Sequence, residues 1–211
     1  MPAHHRQSKN PSPTLTTFVI LYMLILSVLA FRQGNTEFLM YALVMVVFIT
    51  TTLFLHLRIR FSPTVLWLLA TWGLLHMLGG TIPINPQFTD TFRAATNSDD
   101  QPTAAVLYSL RYFPNLPRYD QLIHAFGFFS ATLACYEALR ALLNARKSVS
   151  LAIIAALMGI GLGALNEVIE FFAVLTMPQT NVGGYTNTAW DLVANTIGAS
   201  LAAAWSLTRR S

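Results

Sequence analysis

Six stretches of this chain are long, continuous and apolar, and each is close to the length of a bilayer crossing. A helix needs about 20 mostly apolar residues to span a hydrocarbon core about 30 Å thick. The stretches are residues 14–31, 38–56, 63–80, 119–143, 150–177 and 188–207. They show no period-two alternation, which favours helices over a membrane barrel. Of the 211 residues, 54% are hydrophobic and 10% charged, against about 25% charged in a soluble domain. So little charge cannot coat a soluble globule, and so much apolar surface excludes disorder. A disulfide scaffold is excluded as well, because Cys135 has no second cysteine to pair with. The fold class that follows is all-α: a six-helix transmembrane bundle, one domain over residues 14–211 after a cytoplasmic tail over 1–13. The first stretch is longer than a signal-peptide core and lacks a small-residue cleavage site after Phe31, so it reads as a retained helix.

Lysine and arginine set the expected orientation. If the spans alternate, Arg6, Lys9, Arg58, Arg60, Arg140, Arg146, Lys147, Arg209 and Arg210 share one side. Only Arg32, Arg93, Arg111 and Arg118 fall on the other. Both termini are therefore expected in the cytoplasm. One long outer loop, residues 81–118, joins helices 3 and 4. It holds several prolines and the polar run 96–100, and its apolar, aromatic piece 104–113 suits a short helix lying on the membrane surface.

Ionisable groups inside a membrane are costly and usually functional. Here they sit at similar depth on four helices: His76 on the third, Asp120 and His124 on the fourth, Glu167 and Glu170 on the fifth, Asp191 on the sixth. Asn166, Asn187 and Asn195 lie beside them as polar support. The spacings i,i+4, i,i+3 and i,i+4 put each pair on one helix face. The same faces carry small residues, among them Gly127, Ala131, Gly163 and Gly198, which let membrane helices approach closely. The polar groups are thus expected to point into a core made of the last three helices, in the outer third of the bilayer.

Several carboxylates at close range in a low dielectric need compensation. Either protons are shared or a cation is bound. His76, Asp120, His124, Glu167, Glu170 and Asp191 form a ligand set suited to a divalent metal, Zn²⁺, Mn²⁺ or Fe²⁺. Blander roles stand beside this. Asp120 can cap its helix, and Asn187 and Asp191 can occupy a favourable first turn. Either histidine can be a satisfied core residue, and Glu137 can pair with Arg140. His4 and His5 belong to a polar tail, His56 to a cytoplasmic turn, and Cys135 to the packing. Bis-histidine haem between His76 and His124 is disfavoured by the surrounding acids.

Four short motifs occur in order: Leu75-His76-Met77-Leu78-Gly79-Gly80; Arg118-Tyr119-Asp120 with His124; Asn166-Glu167-Val168-Ile169-Glu170; and Asn187-Thr188-Ala189-Trp190-Asp191 with Gly198-Ala199. Over residues 70–202 the chain resembles the YjdF-like family of multi-pass bacterial inner-membrane proteins of unknown function, and more weakly the VanZ-like proteins. The resemblance implies an inner-membrane location and marks the six charged or imidazole residues as motif positions. It implies no reaction. The family's tyrosine-bearing stretch after the paired glycines is replaced here by Thr81-Ile82-Pro83-Ile84-Asn85-Pro86.

Three functions stay open. One is an enzyme acting on a lipid or lipid-linked substrate, with a metal that activates water or polarises a phosphoryl oxygen and Glu167 or Glu170 as base. Helix starts near Asp120 and Thr188 would favour phosphate. Another is a proton-coupled transporter, although no internal repeat or midplane site is evident. The last is a structural or accessory subunit. There is no H-E-x-x-H or G-x-S-x-G motif. Membrane lipids are the expected partners; topology accounts for the basic residues, so nucleic acid has no support.

Overall fold

The computed structural model describes residues 10–89, 105–111, 116–177 and 180–208. The tail through residue 9, Arg93, the polar run 96–100, Arg209 and Arg210 lie outside the described residues. Within them the chain forms six long helices and no strand: α1 (Pro13–Arg32), α2 (Thr36–Ile59), α3 (Pro63–Thr81), α4 (Tyr119–Leu142), α5 (Val149–Thr176) and α6 (Tyr185–Thr208). The first five are long and apolar enough to cross a membrane. Helix α6 falls outside that group. Asn187, Asp191, Asn195 and a run of small residues lower its hydropathy, and these residues face the inside of the bundle.

The helix starts follow from their first residues. Ser12, Asn35, Ser62 and Ser148 each accept a backbone N–H three residues on, at 3.0–3.3 Å. Such a cap is worth about 1 kcal/mol. Pro13 and Pro63 occupy first-turn positions where no N–H is needed. Between α1 and α2, Gly34 takes φ +64 with open space around its Cα, so glycine serves the backbone there.

One end of the bundle collects the α1–α2 turn, the end of α3, the starts of α4 and α6 and the end of α5. Gln33 and Asn35 donate to the last carbonyls of α3, those of Thr81 and Gly80. Tyr119 at the start of α4 donates its hydroxyl to Leu75 O of α3 at 2.9 Å. At the opposite end, Glu137 of α4 accepts the amide and hydroxyl of Ser62 at 2.7 and 2.6 Å, holding the first turn of α3. His56 stacks on Phe61 nearby.

Helices α4, α5 and α6 pack most closely, and small residues make this possible. A Cβ on Gly198 would strike the carbonyl of Ala125 in α4, and one on Gly163 would meet the Asn195 side chain. Around this core, α2 and α5 turn leucine, isoleucine, valine and phenylalanine outward, Val47, Phe54, Leu157 and Phe172 among them. That surface suits acyl chains.

The surface helix expected over 104–113 does not form in its described part. Leu107–Ser109 makes a single 3-10 turn flanked by extended Val106 and Leu110. Those two residues bridge to Pro83 and Thr89, with Ile84 N–H bonded to Ala105 O and Arg111 N–H to Phe88 O. A helix this short pays the full nucleation cost for few internal bonds. Pairing with the arm that follows α3 satisfies the same amides and lays the segment across the site end of the bundle.

Candidate metal centre

Asp120 and His124 stand one turn apart at the start of α4. His124 is only 7% exposed. Its Nε2 lies 3.4 Å from Asp120 Oδ1 and 3.7 Å from Glu170 Oε1 of α5. Its Nδ1 lies 3.0 Å from Asn195 Oδ1 of α6 and 3.5 Å from Glu167 Oε1 of α5. Asp191 of α6 is fully buried. Two sets of ligand atoms result, each mutually within 4.8 Å: Asp120, His124 and Asp191, and His124, Glu167 and Glu170. One imidazole thus belongs to both.

The three asparagines act on the carboxylates. Asn166 donates to Glu170 at 2.8 Å, Asn187 to Asp191 at 2.5 Å and to Asp120 at 3.3 Å, and Asn195 to Glu167 at 3.5 Å. Their donors do not suffice. Glu167 Oε2, Asp191 Oδ1 and Asn187 Oδ1 are buried acceptors without a hydrogen-bond partner among the described residues. Such an acceptor costs about 1–3 kcal/mol when left unsatisfied. Acceptors without donors, on helices converging beside an imidazole, form the chemical surroundings of a cation or a shared proton.

His76 stands apart from both sets. Phe38, Tyr41, Trp72 and Tyr108 surround its ring, with centroids 5.6–5.9 Å away. The Tyr108 hydroxyl meets His76 Nδ1 in a hydrogen bond. Burial pushes the Tyr108 phenol well above its ordinary value, so it stays a neutral hydroxyl. The Tyr108 ring also lies against Gly79, where a Cβ would collide with it. A tyrosine from the second loop segment therefore sits over Gly79, and Phe38 of α2 fills the same place at Gly80.

Several residues of this region were not singled out by sequence reasoning. Glu37, in the first turn of α2, is 4% exposed. Its Oε2 accepts both the backbone and the side-chain N–H of Asn181 at 2.8 Å, pinning the α5–α6 connection to α2. An acid in a first turn looks like ordinary dipole complementation, so only depth could have flagged it. Arg118, counted earlier as an outer-loop charge, is buried, and its Nη2 lies 3.4 Å from Asp120 Oδ2.

Against known families, residues 14–211 match the family described as Predicted membrane protein (DUF2238). The chain belongs to this family. The match supports the coarser part of the resemblance, a membrane family of unknown function, and does not extend to the YjdF-like or VanZ-like names. No curated protein and no solved structure matches the chain. For this member of the family, the function is therefore argued from the buried site itself.

Proposed function

We propose that this chain is a metalloenzyme of the bacterial inner membrane, crossing it six times with both termini in the cytoplasm, and acting on a lipid or lipid-linked substrate at the outer leaflet. One observation carries the reading: a single buried imidazole faces four carboxylates from three helices, and two of these carboxylates hold buried oxygens without a donor among the described residues. Asp120, His124 and Asp191 would hold a divalent ion through three protein ligands, the number usual in a catalytic site. Zinc, manganese or iron(II) suits this nitrogen and oxygen set.

In that arrangement Glu167 and Glu170 stand next to the ion without being needed to hold it. Glu167 keeps Oε2 as a buried acceptor with no donor among the described residues, so it would serve as the general base. A divalent ion held there would supply Lewis-acid chemistry toward water and a phosphoryl oxygen. Helix α6, too polar by hydropathy alone, crosses with its polar face turned inward. The basic residues at the Ser62–Glu137 end lie on the cytoplasmic side by the positive-inside rule.

Elemental analysis of the purified, detergent-solubilised protein tests the reading. The expected result is about one zinc, manganese or iron per chain, lost in His124→Ala and Asp191→Asn. Wild-type protein without stoichiometric metal after growth with all three ions would overturn it.

A further inference from the structure

Resting on the metalloenzyme reading, we infer that Arg118 binds a phosphoryl oxyanion of the substrate in the pocket beside the metal centre. The pocket is lined by Val106, Tyr108, Ser109, Arg118, Asp120 and Asn181. It is therefore walled by the second loop segment, the start of α4 and the α5–α6 connection.

Arg118 is 6% exposed, and a guanidinium keeps its charge even when buried. Its side chain makes one polar contact among the described residues, from Nη2 to Asp120 Oδ2 at 3.4 Å. That is long for a charge-assisted hydrogen bond, which runs at about 2.7–2.9 Å. The group carries five N–H donors, more than this one contact uses, and the residue lines the pocket. The Arg118 backbone N–H is already used by Gln121 Oε1 at 3.0 Å, which fixes the main chain at this position. A buried cation with spare donors in a fork calls for an anion with several oxygens, and phosphoryl matches that fork.

Asp120 connects this pocket to the metal. One of its oxygens faces His124 at 3.4 Å, and the other faces Arg118 and Asn187 at 3.4 and 3.3 Å. The anion site and the cation site are thus one carboxylate apart, so an oxyanion on Arg118 has the ion within reach. If the helices cross the bilayer as proposed, the residues that line this pocket, at the bundle end that holds the end of α3 and the start of α4, fall near a phosphate layer. A phospholipid headgroup and free phosphate present the same oxyanion.

Binding to the purified protein in neutral detergent distinguishes the sources, with short-chain phosphatidic acid, the matching diacylglycerol and inorganic phosphate as probes. Phosphatidic acid is expected to bind and diacylglycerol to fail. Arg118→Gln should weaken phosphatidic acid about tenfold or more. Arg118→Lys should fall between, and Arg32→Gln, exposed at the same end, should change nothing. Inorganic phosphate that competes with phosphatidic acid would support the oxyanion site and assign it to a soluble source as well. Equal binding of phosphatidic acid by wild type and Arg118→Gln would overturn the inference. Metal content measured on the same samples separates the two proposals. Arg118→Gln should keep its ion, which also shows that it folds; Arg118-dependent binding by a metal-free wild type would retain the anion site and remove the metalloenzyme.

Discussion

Asn195 donates through Nδ2 to Glu167, which leaves its Oδ1 as the acceptor for His124 Nδ1. With a cation bound, the imidazole would carry its proton on Nδ1 and offer the lone pair of Nε2 on the side of Asp120 and Glu170. An outer partner that fixes the tautomer of a ligand histidine commonly matters ten- to a hundredfold in metal affinity. Asn195→Ala is accordingly expected to weaken Mn²⁺ binding by about that factor while leaving the helices folded, as read by titration and circular dichroism. Glu37 and Asn181 act on stability instead. Glu37→Ala leaves two N–H donors of Asn181 without their carboxylate and should cost about 1–3 kcal/mol in denaturant unfolding. The difference between the two regions also marks what a linear reading can see. Asp120 and His124, Glu167 and Glu170, and Asp191 and Asn195 lie within one turn of each other, so helix geometry alone puts each pair on a face. The Glu37–Asn181 contact joins residues 144 positions apart. It depends on how α2 is rotated in the bundle, and an apolar helix carries no periodic signal of that rotation. His76 shared the depth of the other candidates, but the aromatic residues around it come from three separate segments and hold it in their own box.

At the scale of elements, the approach of α4, α5 and α6 depends on missing side chains. At Gly198 the atom in the way is the Ala125 carbonyl oxygen, backbone that cannot rotate aside. Gly198→Leu should therefore push α6 off α4, lower the thermal midpoint in detergent and release the metal together. Overpacking of this kind costs typically about 1–3 kcal/mol or more. Gly161 is the control: nothing lies within 4 Å of a Cβ there, so Gly161→Leu should leave both readouts near wild type. Stripes of small residues made this packing legible beforehand, because their spacing matches the polar faces. The segment 104–113 was not legible in the same way. Its apolar and aromatic content fits a surface helix, but the partner that decides its conformation, the arm from Pro83 to Thr89, lies across the loop. Only the pairing of the two arms shows why the backbone stays extended. Helix α6 is the converse case: its polarity, which takes it out of the apolar set, is the same polarity that builds the site.

For the whole molecule, the site end holds the exposed arm after α3, and the opposite end holds the turn after α4. Cys135 is buried, so a Cys135→Ser background allows single labelling positions to report sidedness. Gln87→Cys, exposed at the site end, should react with a membrane-impermeant maleimide on intact cells. Asn144→Cys, exposed at the other end, should react only after permeabilisation. The reverse pattern would place the site toward the cytoplasm and remove an outer-leaflet substrate. Whichever way the bundle faces, the metalloenzyme reading depends on whether a cation sits on His124. Pulsed electron paramagnetic resonance of Mn²⁺-loaded protein reads that contact directly. The expected spectrum shows coupling to one imidazole nitrogen, at about one Mn²⁺ per chain, abolished in His124→Gln. Mn²⁺ that does not bind, or that binds with no nitrogen coupling, would contradict the metal centre.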